Sequence, residues 1–149
     1  MPRITRKKIK DEESFRRQLK SRGLKLTPQR LAVHRAMSEL IHASADMVQE
    51  HIGEEGKISQ VSIYNILSEL ADNGIYSRRY SPNNKMSFDV DPSRHVHLFD
   101  TRNNEFLDVG DLDLIPLVEA GLRRKRFRGY KMDNIEIQII CHPTRKKLL

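Results

Sequence analysis

The chain has 149 residues and carries 27 Lys and Arg against 20 Asp and Glu, a formal charge of +7 at neutral pH. At 38% hydrophobic residues it holds apolar material for one mid-sized core or two small ones, which excludes wholesale disorder. It has no run near the roughly 20 apolar residues of a membrane helix, its basic start lacks a signal peptide's apolar stretch, and its single cysteine, Cys141, excludes an intrachain disulfide or an all-cysteine zinc cage. The expectation is a soluble cytoplasmic protein with no membrane partner.

The basic excess is concentrated at the start, where residues 1–25 alone account for a net +7. Such a run is either a solvated tail or a footprint for a polyanion, because a Lys or Arg placed on a phosphate releases counterions. A helix is predicted from Asp11 to Arg22, with Phe15 and Leu19 one turn apart on its inner side and Gly23 ending it. Thr27-Pro28-Gln29-Arg30 reads as a helix start, a hydroxyl cap followed by proline at the first helical position. Behind it Val33, Ala36, Met37 and Leu40 recur at helical spacing. Ser44 is expected to cap a short helix through Ile52, with Val48 and Ile52 facing inward, before a turn over residues 53–57.

Ser59 caps the next predicted helix, residues 60–73, which Gly74 terminates; Ile63, Ile66, Leu67, Leu70 and Ala71 commit one face to a core. Residues 75–80 and 85–90 read as two strands around Ser81-Pro82-Asn83-Asn84. Three helices followed by a two-stranded ribbon form a winged helix-turn-helix, assigned here to residues 1–90. From residue 91 the predicted elements are a strand 95–100, a turn 101–104, a strand 105–109, a helix 113–126 and a strand 135–141. The fold class is therefore α+β, a winged-helix domain followed by a small α/β domain over residues 91–149. So few elements bury little on their own, which makes dimerisation the expected remedy.

An α-helix fits the major groove of DNA, and short polar groups near its start reach base edges. Ser62, Tyr64 and Asn65 are the candidates on the fourth helix, with Lys25 and Arg30 placed to hold the backbone or enter a narrow minor groove. A second constellation points to a metal. In His95-Val96-His97 the two imidazoles share one face of a strand, their backbones roughly 6.5–7 Å apart. Asp89 precedes them, Asp108 lies on the strand expected to pair with theirs, and His42 sits at a helix junction. Three His and two Asp make a mixed nitrogen and oxygen set suited to Fe²⁺, Mn²⁺ or Zn²⁺. His34, His51 and His142 are set aside as ordinary histidines, His34 on a polar helix flank.

Taken together these residues resemble the ferric uptake regulator (Fur) superfamily of metal-responsive repressors. The resemblance rests on Gly23-Leu24-Lys25-Leu26-Thr27-Pro28-Gln29-Arg30, His42-Ala43-Ser44-Ala45-Asp46, Val61-Ser62-Ile63-Tyr64-Asn65-Ile66-Leu67, Asp72-Asn73-Gly74-Ile75, Phe88-Asp89 and His95-Val96-His97. It implies a homodimer on a palindromic, AT-rich operator, with Tyr64 and Lys25 touching DNA. It also implies one regulatory divalent ion per subunit, Fe²⁺ or Mn²⁺ with Zn²⁺ able to substitute in vitro, on His42, Asp89, His95, His97 and Asp108.

One departure is large. Family members usually carry two Cys-x-x-Cys pairs that hold a structural zinc, and here those positions are Asp100 with Asn103 and Cys141 with Thr144. No structural Cys₄ zinc is expected. The missing pairs are similar to two branches of the family. The iron response regulators, the alternative reading for this chain, respond to haem and usually show three consecutive histidines, of which the middle one is Val96 here. In the peroxide sensors an aspartate at the fifth ligand position, here Asp108, accompanies oxidation of histidines at the positions of His42 and His95. No arrangement in the sequence supports an enzyme. A metal-independent winged-helix DNA-binding protein is the remaining alternative.

Overall fold

The computed structural model describes residues 4–5, 12–110 and 112–145. The chain divides into two compact units, one comprising residues 12–93 and the other residues 94–145 with a short N-terminal strand.

The first unit opens with α1 (Glu12–Ser21), whose Phe15 and Leu19 are fully buried as their spacing predicts. Asp11, the expected first residue of that helix, lies outside the described residues. In α2 (Pro28–Leu40) the Thr27 hydroxyl accepts the Arg30 N–H at 3.1 Å, closing one of the donors a helix start leaves open. Val33, Ala36 and Met37 are buried beneath it. The chain then forms a two-residue strand, β2 (His42–Ala43), where the sequence suggests only a junction. In α3 (Ala45–Ile52), Ser44 occupies the cap position but makes no side-chain cap, because its hydroxyl donates to the Asp46 carboxylate instead. A single 3₁₀ turn at residues 54–56 leads to α4 (Gln60–Asp72), capped by the Ser59 hydroxyl, which accepts from Ser62 N at 3.1 Å.

Ile63, Leu67 and Leu70 of α4 are fully buried, each contributing about 1.5–3 kcal/mol of hydrophobic stabilisation. Gly74 follows at φ 72°, the left-handed conformation that ends the helix without a Cβ penalty. The wing is β3 (Ser77–Tyr80) and β4 (Met86–Asp89), antiparallel, with Arg78 opposite Phe88 and Tyr80 opposite Met86. β2 adds to the other edge of β4, giving the order β2-β4-β3.

The second unit is a four-stranded sheet in the order β1-β6-β5-β7. Here β5 is His97–Asp100, β6 is Glu105–Val109 and β7 is Gln138–Cys141, the last running parallel to β5. The edge strand β1 (Ile4–Thr5) was not anticipated: it pairs antiparallel with β6, so this piece of the N-terminal segment belongs to the second unit's sheet. The predicted strand at 95–100 begins two residues late, since His95 and Val96 precede its ladder. α5 (Ile115–Leu122) is shorter than the predicted 113–126. Arg123-Arg124-Lys125-Arg126 accordingly lies in the exposed chain beyond the helix and not on its outer face. The core of this unit is small: Val96, Val109 and Ile115 are buried, with Leu98, Ile137 and Ile139 packed partly around them.

Asp100 closes the β5–β6 hairpin. Its carboxylate accepts from Arg102 N at 2.8 Å, Asn103 N at 3.1 Å and the Asn103 amide at 2.7 Å, while Thr101 N donates to the Cys141 carbonyl at 2.9 Å. Asp100 and Asn103, where the resemblance implies a cysteine pair, are thus tied by a carboxylate and an amide. Burial opposes the charge on Asp100, but these hydrogen bonds outweigh it and hold the carboxyl below its usual range.

Candidate functional site

In the second unit, antiparallel pairing sets His97 directly opposite Asp108. His95 lies two residues before His97 and turns its ring to the same side, with ring centroids 4.1 Å apart. His95 Nε2 and His97 Nε2 stand 3.0 and 3.5 Å from the same Asp108 oxygen, and all three side chains are largely buried. Phe106, two residues before Asp108 on β6, places its ring edge-on to His97 at 5.7 Å. One donor atom from each of His95, His97 and Asp108 lies within 4.8 Å of the others.

In the first unit, pairing of β2 with β4 sets His42 opposite Asp89, and His42 Nε2 stands 3.2 Å from Asp89 Oδ2. Asp89 is completely buried, and its other oxygen accepts the Asp91 N–H at 2.8 Å. The short strand β2 is what brings His42 to this position.

Both donor sets fit a divalent ion by their chemistry. Around an ion with bonds of about 2.1 Å, adjacent ligand atoms stand about 3.0–3.5 Å apart. The separations of 3.0, 3.5 and 3.2 Å lie in that range. Imidazole nitrogen and carboxylate oxygen, without thiolate, suit Fe²⁺, Mn²⁺ or Zn²⁺. A divalent cation also suits two carboxylates buried this deeply, because buried charges are costly unless paired or bound to a metal.

The DNA-binding candidates separate into two groups. Ser62, Tyr64 and Asn65 all lie in the first half of α4; Tyr64 and Asn65 are exposed and Ser62 is partly so. Tyr64 also packs: its ring meets Phe88 edge-on at 6.1 Å and its hydroxyl reaches the Met86 sulfur at 3.9 Å, bracing the helix against the wing. Lys25 is exposed in the loop before α2. Arg30 differs, because its guanidinium is turned onto Glu69 Oε2 at 2.6 Å and the Lys25 carbonyl at 2.6 Å. Val61, 70% exposed at the start of α4, was not singled out in the sequence. An apolar residue one position after a helix start is a signal that pattern reading passes over, and it suits contact with a thymine methyl.

Of the histidines set aside, His34 is buried, not on a polar flank. It stacks on Phe15 at 3.8 Å and hydrogen-bonds the Tyr76 hydroxyl at 2.6 Å. His51 is exposed and paired with Glu39, and His142 is exposed.

Residues 21–140 match the family model of the ferric uptake regulator family. The chain belongs to the ferric uptake regulator family. That membership places it among metal-responsive transcription regulators. No curated protein sequence matches the chain. Its fold is similar to that of the Vibrio cholerae ferric uptake regulator, at a TM-score of 0.69 and 23% identity over 87% of this chain and 99% of that one. The Pseudomonas aeruginosa ferric uptake regulator, solved with manganese, is similar at a TM-score of 0.64 and 20% identity over 87% and 97% of the two chains. The Campylobacter jejuni peroxide stress regulator is similar at 0.58 and 19% over 93% and 99%. Among the described residues, no helix of this Fur-family chain is long and apolar enough to cross a membrane.

Proposed function

We propose that this chain is a repressor that binds a palindromic operator as a homodimer and responds to one regulatory divalent ion per subunit, Fe²⁺ or Mn²⁺ physiologically and Zn²⁺ in vitro. Its ligands in this reading are drawn from His42, Asp89, His95, His97 and Asp108. The carrying observation is the convergence of two imidazole nitrogens on one buried Asp108 oxygen. When bound, the ion supplies a positive charge beside these buried carboxylates. His97 and Asp108 are fixed by strand register, so their donor atoms are held in place with little to reorganise. The same holds for His42 and Asp89 across β2 and β4.

On the DNA side, Ser62, Tyr64 and Asn65 read base edges from the start of α4, and Lys25 holds the backbone. The exposure of Tyr64 and Asn65 on the face opposite Ile63, Leu67 and Leu70 supports this assignment. Operator affinity depends on metal in this reading, since binding need favour the DNA-competent form by only a few kcal/mol.

His95→Ala tests the reading in a gel-shift series on an operator selected from random duplexes, with added Mn²⁺ and with chelator. The expected result is a metal-dependent shift in the parent and none in the variant. Metal-dependent affinity that survives the substitution unchanged would overturn the ligand set. Running the same series before and after peroxide treatment separates a peroxide-sensing regulator from one that follows metal supply alone.

A further inference from the structure

We infer that Arg30 is a positioning residue for the DNA-reading surface and does not itself grip a phosphate. This rests on the DNA-binding reading above. Three observations carry it. The Arg30 guanidinium donates to Glu69 Oε2 at 2.6 Å, and Glu69 stands in the second half of α4, seven residues beyond Ser62 on the same helix. It also donates to the Lys25 carbonyl at 2.6 Å, inside the loop whose side chain is the proposed backbone contact. The Arg30 side chain is only 15% exposed, against 41% for Glu69.

One guanidinium therefore joins the Lys25 loop to the recognition helix. Arg suits this task because its planar fork presents donors in fixed directions, so two acceptors bound at once set each other's separation. Turning Arg30 outward to a phosphate would break both bonds and leave the partly exposed Glu69 carboxylate without its arginine partner. Backbone anchors elsewhere in the same helix point the same way. Arg78 of β3 pairs with Asp72 at 2.8 Å and donates to the Ser68 carbonyl at 3.2 Å, so a second arginine is tied to the latter half of α4.

The two roles give opposite results for Glu69. If Arg30 gripped phosphate, Glu69→Gln would release it and remove a nearby negative charge, so affinity would rise. If Arg30 positions, Glu69→Gln loosens α4 against the Lys25 loop and affinity for the operator falls. The experiment compares the parent, Arg30→Gln, Glu69→Gln and the double variant, with metal present, on operator and random duplexes at several salt concentrations.

Each single variant is expected to lose operator affinity by about tenfold, a coupling typical of contacting side chains, with the double variant losing little more. Random-sequence affinity and the slope of log affinity against log salt should stay near the parent's, because no phosphate contact is lost. A slope reduced by about 0.9 in Arg30→Gln, with equal loss on both duplexes, would overturn the inference. So would tighter binding by Glu69→Gln. If Arg30→Gln fails to fold, Glu69→Gln decides by sign alone. A parent that binds neither duplex fails the DNA-binding reading itself, which is a different result from any of these.

Discussion

Ile41 stands at φ 68° and ψ −55°, a conformation that a β-branched side chain adopts only where the surroundings impose it. Its N–H closes α2 onto the Met37 carbonyl, and its own carbonyl accepts the Val90 N–H at 3.1 Å. That reversal delivers His42 into register with Asp89 one residue later. The strain thus sits next to a proposed ligand and is held by core packing, since Ile41 is itself nearly buried. His34 shows the complementary case, a polar ring accepted inside the same core because it has partners. Burial pushes the Tyr76 phenol well above its ordinary range, so the hydroxyl keeps its proton and remains available to the His34 ring. Tyr76→Phe keeps the ring packing but strands the His34 nitrogen. The expected cost is about 1–3 kcal/mol, read as a lower urea midpoint with an unchanged m-value. An unchanged midpoint would mean that the hydrogen bond contributes nothing net.

At the scale of elements, the hairpin that Asp100 closes carries a pH signature. Its carboxyl is held below the unfolded value, so it contributes stability above the unfolded carboxylate range, near pH 4, and loses it as pH falls through the depressed folded value. The parent should therefore lose thermal stability on acidification more steeply than Asp100→Asn. At neutral pH, Asp100→Ala should cost about 2 kcal/mol, since three donors lose a charged acceptor. Parallel melting curves of parent and variant across that range check both. Helices with strong periodic faces were legible in advance: Phe15 with Leu19, and Ile63, Leu67 and Leu70, are buried where their spacing puts them. Two-residue strands were not, because β1 and β2 are too short to show alternation and exist only through partners distant in sequence. The overlong helix at 113–126 has a similar origin, as the basic run is a good helix former with nothing to pack against. In the metal constellation, H-x-H and Asp108 could be read because strand pairing has period two. His42 could be named but not positioned, since its placement depends on β2.

Taken as a whole, the chain carries its charge excess at one end, and the described residues show how part of that end is anchored. Ile4 pairs with Val109 and Thr5 with Asp108, a proposed ligand. Arg6, Lys7, Lys8 and Lys10 follow, outside the described residues. Deleting residues 1–10 would therefore mix two effects, loss of cationic side chains and loss of an edge strand. Replacing the four basic residues by Gln separates them, because Ile4 and Thr5 remain. Phosphate contacts hold a protein on DNA without reporting sequence, so the quadruple variant should weaken operator and random duplexes by the same factor. Its plot of log affinity against log salt should flatten by about 0.9 for each contact removed, while the response to added Mn²⁺ stays that of the parent. A loss confined to the operator with the slope intact would assign the arm to sequence reading. A loss of the Mn²⁺ response with DNA affinity intact would instead tie the arm's charges to β1 and Asp108.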